Sequence, residues 1–244
     1  MPCIVVTGAA GALGTVVSRH LTRGGARVVA LDTPHGAARL TDLASGPDAP
    51  AIALPLDVTR VTTFAAFEQS LRTVLHGWGR DTFDGLVNNG GYGLYKTVDA
   101  VTEEDFDGLY GVHLKGPFFL TQTLVPLLAR GGQIVNVSSA TTRVATVGVA
   151  PYASFKSALE TLTQYLAKEL GPRGIRANAV APGAIRTELG GGLTPDFEAL
   201  LAAQTALGRV GEPEDVARVI AALLGDDLGW VNGQCIDVSG GYCL

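Results

Sequence analysis

Tyr152 and Lys156 stand four residues apart in the stretch from Pro151 to Glu160, which reads as the start of a helix. That spacing puts both side chains on one helical face. A phenol titrates at roughly 10, so alone it is a poor proton donor or acceptor at neutral pH. A neighbouring ammonium favours the phenolate and lowers that value. The pair is therefore a candidate acid/base for a carbonyl or hydroxyl oxygen. The same spacing also describes a packed ring beside a solvated amine, so the elements that position the pair must decide.

Short Val/Ile/Leu-rich runs alternate with longer helical stretches. Strands are expected at Cys3–Val6, Arg27–Leu31, Ala51–Leu56, Gly85–Asn88, Gln133–Val137, Arg176–Val180 and Gln234–Val238. Most are continuously apolar, as strands covered on both faces are. Helices are expected at Leu13–Arg23, His35–Ala44, Thr62–Gly77, Thr102–Arg130, Tyr152–Leu170, Pro195–Ala206 and Pro213–Leu224. Gly24-Gly25, Gly131-Gly132 and Gly171-Pro172 supply stop signals. Thr102 reads as an N-cap before an acidic first turn. The alternation predicts an α/β fold: a Rossmann-type doubly wound parallel sheet of about seven strands with helices on both faces. No linker composition or internal repeat divides the chain, so residues 1–244 are expected to form one domain.

Strand one runs into Thr7-Gly8-Ala9-Ala10-Gly11-Ala12-Leu13-Gly14 and then a helix. Small residues let the backbone approach a pyrophosphate, and a helix N-terminus offers free N–H groups. No Lys-Ser/Thr follows the glycines, which excludes a P-loop. Asp32 closes strand two, where an acid can accept from an adenosine ribose diol and repel a 2′-phosphate. No Arg or Lys lies in the glycine turn or just after Asp32, so NAD is expected over NADP. Asp32 could instead cap a helix near Thr33-Pro34. Asp57 and Asn88-Asn89-Gly90-Gly91 follow strands three and four, at the sheet edge where ligands bind.

The 244 residues carry a formal net charge of −5 and no basic block, which argues against nucleic acid and anionic membrane partners. No apolar run is long enough to span a bilayer. The first apolar run lacks the flanks of a signal peptide. Cys3, Cys235 and Cys243 have no metal-like spacing and are odd in number. A metal-free protein in a reducing cytoplasm is the expectation.

Taken together these segments resemble the short-chain dehydrogenase/reductase family in its compact single-domain branch. The marks are the Thr7–Gly14 turn, Leu56-Asp57-Val58, Asn88-Asn89-Gly90-Gly91, Ser138-Ser139 before Tyr152 and Lys156, Asn178 through Pro182-Gly183 to Thr187, and Gly233-Gln234 through Gly240-Gly241. The resemblance covers essentially the whole chain. It implies hydride transfer between NAD(H) and a secondary alcohol or ketone, with Tyr152 as acid/base, Lys156 lowering its pKa and holding the nicotinamide ribose, and Ser139 orienting the substrate oxygen. Ser139 rather than Ser138 matches the family's serine by its distance from Tyr152. The implied cofactor set is Gly8, Gly11, Leu13 and Gly14 at the phosphates, and Asp32 at the adenosine ribose. Asp57 and Val58 fall at the adenine, Asn88 and Gly90 along the cofactor. Pro182, Gly183, Ile185 and Thr187 border the nicotinamide. Relatives pair through the long fourth helix and the Tyr152 helix, so a homodimer or homotetramer is expected.

The chain departs from the pattern at Ala12, at Gly90, at Phe155 beside the lysine, and most seriously at His113. His113 replaces an Asn that supports a relay water in the family. It either sustains that relay with its own pH dependence or merely packs while a backbone carbonyl holds the water. The segments Tyr92–Lys96, Ala140–Ala150 and Ile185–Leu201 should surround a fairly hydrophobic substrate. Their small and apolar residues include Leu94, Val144, Val147, Leu189 and Leu193, with Gly190–Gly192 as a closing loop. Lys96, Arg143 and Arg186 could read an anion or stand as rim charges. Two other functions compete: a dinucleotide-binding sensor with little turnover, and an epimerase or dehydratase, whose relatives carry a longer substrate domain.

Overall fold

The apolar runs become strands because helices cover both of their faces. A computed structural model describes residues 1–40, 43, 50–187 and 192–244. The strands are β1 (Cys3–Thr7), β2 (Arg27–Asp32), β3 (Ala51–Pro55), β4 (Phe83–Asn88), β5 (Leu128–Val137), β6 (Arg176–Pro182) and β7 (Cys235–Val238). They form one parallel sheet in the order β3-β2-β1-β4-β5-β6-β7. Strand order reverses between β1 and β4, which opens a crevice at their carboxyl ends.

The helices are α1 (Ala12–Arg23), α2 (Pro34–Ala37), α3 (Phe64–Gly77), α4 (Glu103–Tyr110), α5 (Gly116–Leu124), α6 (Ala150–Leu170), α7 (Pro195–Ala203) and α8 (Pro213–Leu224). Alternate strand residues serve opposite layers. Val5, Val29 and Leu86 face Phe64, Leu71 and Leu75 of α3 and Leu120 and Leu124 of α5. Ile4, Val28 and Val87 face Val17 and Leu21 of α1 and Val216 and Ile220 of α8. Pro151 enters the first turn of α6, where its missing N–H costs nothing. Phe155, Lys156, Leu159, Thr163 and Ala167 then line that helix's buried stripe.

Two helices differ from the expectation. The stretch expected as helix from His35 to Ala44 gives only α2, capped by Thr33. Gly36, a weak helix former, lies against the Asp32 carboxylate. Residues 41, 42 and 44 lie outside the described residues. The expected helix from Thr102 to Arg130 is broken. α4 leads through a π-helical turn, Gly111–Lys115, into α5, and a 3₁₀ turn at Val125–Leu127 ends it. Pro117 cannot donate to the His113 carbonyl, and the wider turn accommodates that loss. Pro126 ends the helical run. Gly131-Gly132 therefore does not stop a helix; it lies inside β5, where the ladder with β4 shifts register.

A buried polar network locks the central strands to the helices beneath the crevice. Asn88 Nδ2 donates to Asn136 Oδ1 (2.8 Å) and Thr121 Oγ1 (3.2 Å). Asn136 Nδ2 donates to Thr163 Oγ1 (2.8 Å), whose own hydroxyl donates to Leu159 O (2.8 Å). Removing one member leaves desolvated groups unpaired. Asn136→Ala should lower the unfolding free energy by about 2–3 kcal/mol, summing lost bonds and orphaned groups. Urea denaturation checks this; a loss below about 0.5 kcal/mol would show that the network contributes little.

Candidate active site and dinucleotide crevice

A cavity of about 1000 Å³ runs along the carboxyl ends of the central strands. One end is built by the turn between β1 and α1. Gly8, Gly11, Leu13 and Gly14 all line it. A Cβ at Gly14 would stand 2.0 Å from Gly8 O, so only glycine lets α1 begin this close to the turn. Gly11 caps α1 without a side-chain bond. The first-turn N–H groups are therefore open to an anion. Ala12, the departure from the family's glycine, starts α1 with ordinary helical geometry; among the described residues Cys243 is the one non-glycine with positive φ.

Asp32 lines the far wall. Its Oδ2 accepts from Ala10 N–H (2.9 Å), and its Oδ1 accepts from the Thr33 N–H (2.9 Å) and hydroxyl (3.4 Å). The carboxylate thus ties the glycine turn to β2 while facing the cavity. Asp57, with Thr59 N–H (2.9 Å) and Oγ1 (2.7 Å) on its Oδ1, and Val58 form the neighbouring wall. Arg39 stands on the same wall; the sequence reading missed it because it lies seven positions beyond Asp32. Free first-turn amides at one point and an acid beyond them fit the diphosphate and diol of a dinucleotide.

Asn88 requires a correction. Its side chain is buried in the network beneath the cavity and does not line it. Asn89 does, and its Nδ2 donates to Thr7 O (3.0 Å) and Gly8 O (3.1 Å), pinning the glycine turn. The next position, Gly90, also lines the cavity.

At the other end Ser139, Tyr152, Lys156 and His113 converge. Ser138 turns its hydroxyl to Glu160 (2.5 Å). Ser139 Oγ instead accepts from Thr141 Oγ1 (2.9 Å) and Thr141 N (3.2 Å), and its own proton is directed to the Tyr152 phenol oxygen. Lys156 Nζ, 5.6 Å from the Tyr152 ring centroid, donates to Val137 O (2.7 Å). Burial pushes this amine down to about 7. Burial also raises the Tyr152 phenol; a hydrogen bond with Ser139 opposes this, and nearby Tyr95 reinforces it. The phenol is thus raised where the lysine was expected to lower it, because burial dominates.

His113 sits in the π-helical turn, 1 % exposed. Its ring meets Tyr152 edge-on at 4.9 Å. Nε2 lies 2.8 Å from Tyr92 O. A carbonyl only accepts, so Nε2 carries the proton and Nδ1 is a lone-pair acceptor. Nδ1 is buried without a partner among the described residues. Gly91 makes room for the ring: a Cβ there would stand 2.6 Å from His113 Cε1. Burial, then the Lys156 charge, push His113 down to about 3 against the Tyr92 bond. The imidazole is thus neutral throughout the working range and adds no titration near neutrality. Phe155 packs within the chain, edge-on to Phe106 at 4.9 Å.

Pro182, Gly183, Ile185 and Thr187 line the cavity beyond β6. Gly183 lies close under Ser239, where a Cβ would stand 2.7 Å from Ser239 Cβ. The outer lobe carries Tyr92, Leu94, Tyr95, Leu193 and Phe197, and also Tyr242, which no local pattern announced. Val144 and Val147 do not line it, and the expected Leu189, Gly190 and Gly191 lie outside the described residues. The three rim cations are all paired: Lys96 with Asp105 (2.5 Å), Arg143 with Asp237, and Arg186 with Glu198 (2.5 Å) and Glu212 (3.0 Å).

Burial of neutral His113 couples folding to pH. Its folded pKa lies below the unfolded one, so the stability from burying it neutral is fully present above roughly 6.5 and is lost as pH falls toward 3. The parent should lose stability through that window more steeply than His113→Asn, measured as urea midpoints at stepped pH. Parallel curves would show that His113 titrates normally.

Three comparisons bear on this geometry. A family profile described as enoyl-(acyl carrier protein) reductase matches residues 8–243. An oxidoreductase of Methylorubrum extorquens is 36% identical over 242 residues, covering 97% of this chain and 96% of that protein. An NADPH-dependent aldehyde reductase-like chloroplast protein of Arabidopsis thaliana is 35% identical, over 98% of this chain and 93% of its own. Among solved structures, the Brucella melitensis short-chain dehydrogenase/reductase described as a glucose/ribitol dehydrogenase superposes with a TM-score of 0.91 at 26% identity, covering 100% of this chain and 97% of that one. No helix among the described residues is long and apolar enough to cross a membrane, and no acid, His and Cys cluster there could hold a metal. With its parallel seven-stranded sheet and its match to such oxidoreductases along nearly all its length, the chain belongs to the short-chain dehydrogenase/reductase family.

Proposed function

We propose that this chain is an NAD(H)-dependent alcohol dehydrogenase or carbonyl reductase acting on an apolar secondary alcohol or ketone, and that residues 1–244 work as one domain. The observation that carries the reading is the convergence of Ser139, Tyr152 and Lys156 at one end of a cavity whose other end is a glycine turn and Asp32. A bound nicotinamide dinucleotide would supply or take up the hydride. Gly8, Gly11, Leu13 and Gly14 would hold its diphosphate, and Asp32, Asp57 and Val58 its adenosine. Asn89 would hold the turn against it, with Gly90 alongside. Pro182, Gly183, Ile185 and Thr187 would border its nicotinamide, and Lys156 its ribose.

Tyr152 moves the proton at the substrate oxygen. Its raised pKa keeps it a protonated phenol at neutral pH, which suits donation to a ketone. Ser139, whose hydroxyl bonds the Tyr152 phenol, would turn its proton to the substrate oxygen on which charge develops. Lys156 holds a positive charge beside the phenol when protonated, which favours the phenolate that alcohol oxidation needs. His113 stays neutral beside the lysine and does not titrate with it.

One observation favours a second cofactor. Arg39 forms no ion pair among the described residues and stands on the Asp32 wall, while both Asp32 oxygens already accept bonds. NADP, whose 2′-phosphate would meet that guanidinium, is therefore the alternative. We further propose a homodimer or homotetramer, supported by the exposed rings of Phe106, Tyr110, Phe118 and Tyr165 on α4, α5 and α6, and a cytoplasmic setting, supported by three free thiols.

Reduced-cofactor absorbance with a panel of ketones tests the reading. Tyr152→Phe should lower turnover by about 10²–10⁴-fold with dinucleotide binding retained. Retained turnover would overturn the role of Tyr152, and binding without turnover across the panel would favour the sensor. NAD should exceed NADP in kcat/KM; the reverse order, lost in Arg39→Ala, would establish the second cofactor.

A further inference from the structure

The outer lobe of the cavity has a chemical character of its own. Among the described residues lining the cavity, the formally ionisable acids and bases are Asp32, Arg39, Asp57, His113 and Lys156. The first three belong to the dinucleotide wall, and the last two lie buried below Tyr152. Among the described residues the lobe beyond Tyr152 presents neutral side chains, dominated by the rings of Tyr92, Tyr95, Phe197 and Tyr242. The rim cations that could have read an anion are held by carboxylates.

Tyr242 comes to this lobe by long-range construction. The segment after β7 turns back through Gly240 (φ 65°), Gly241 (φ 79°) and Cys243 (φ 51°), left-handed residues on both sides of Tyr242. Backbone bonds pin it to the end of α7: Ala206 N to Gly241 O (3.2 Å), Leu207 N to Gly240 O (3.1 Å) and Cys243 N to Gln204 O (2.9 Å). Arg143, just beyond Ser139, clasps it from the other side through Tyr242 O (3.1 Å), Ser239 Oγ (3.1 Å) and Asp237. A left-handed Cys243 is strained for a side chain with a Cβ, so the contacts around it must hold the turn. The outcome is an aromatic ring built into the cavity wall, tied to the Ser139 segment and to the end of the helix that carries Phe197.

We propose that Tyr242 is a specificity-determining residue, and that the lobe it closes takes an uncharged ketone with a planar aromatic body. This rests on the oxidoreductase reading of the same cavity. Aromatic rings favour a planar π-face over a saturated ring of equal size. A carboxylate would meet no free cation among the described residues of the lobe and would lose its hydration uncompensated. Tyr242 recognises the body of the substrate, while Tyr152 and Ser139 meet its oxygen.

The test uses three methyl ketones of similar size with the intact protein and the reduced dinucleotide: acetophenone, 4-acetylbenzoate and cyclohexyl methyl ketone. Acetophenone should exceed 4-acetylbenzoate by about tenfold or more in kcat/KM, and cyclohexyl methyl ketone by several-fold. Tyr242→Ala should raise KM for acetophenone by about tenfold while kcat and dinucleotide Kd stay within about twofold. Tyr242→Phe should restore the parent KM. Tyr242→Leu, which keeps apolar bulk without a ring, should erase the preference for acetophenone over cyclohexyl methyl ketone and decides the matter if the alanine variant binds dinucleotide poorly. Equal or better use of 4-acetylbenzoate, or an unchanged acetophenone preference in Tyr242→Leu, would overturn this inference while leaving the oxidoreductase reading intact. No turnover with any of a broad ketone panel would overturn both.

Discussion

A lysine ammonium taken out of water beside a phenol is the constraint on which the site depends. Lys156 is 4 % exposed and meets one backbone carbonyl, Val137 O, among its described hydrogen-bond partners. Desolvation disfavours the charged form of both groups, raising the phenol and lowering the amine. α6 supplies the geometry, since a spacing of four on one helical stripe stacks the two side chains. The carboxyl end of β5 supplies the carbonyl and, two residues on, the Ser139 hydroxyl.

The scaffold beneath this pair is polar and fully interior. Asn88, Asn136, Thr121 and Thr163 connect β4 and β5 to α5 and α6 through side-chain hydrogen bonds. Such a network is costly to disrupt and specifies one arrangement of strands and helices. The π-helical turn above it places His113 edge-on to Tyr152, and Gly91 leaves the ring its space. The imidazole, the phenol and the amine pack as one cluster, so a change in any of them is felt by the other two.

Much of this was legible in the sequence. The strands announced themselves because each is buried on both faces, and the residues at their carboxyl ends followed. Four features escaped for identifiable reasons. Adjacent asparagines at the end of β4 point to opposite sides of the sheet, and spacing alone does not say which one faces the crevice. The fourth helix read as continuous because its glycines and Pro117 weaken a helix without dictating where it widens. Arg39 reaches the dinucleotide wall only because α2 is a single short turn. Tyr242 depends on a left-handed turn after β7 and on an Arg143 clasp nearly a hundred positions away in sequence, and neither leaves a local pattern.

Tyr152 stands as a protonated phenol at neutral pH because burial raises it. Carbon-13 NMR of ring-labelled tyrosine, with the Tyr152 signal assigned by its absence in Tyr152→Phe, reports that state directly. The signal should stay at the phenol position through neutral pH and titrate above the ordinary tyrosine value of roughly 10. A phenolate signal at pH 7 would contradict it.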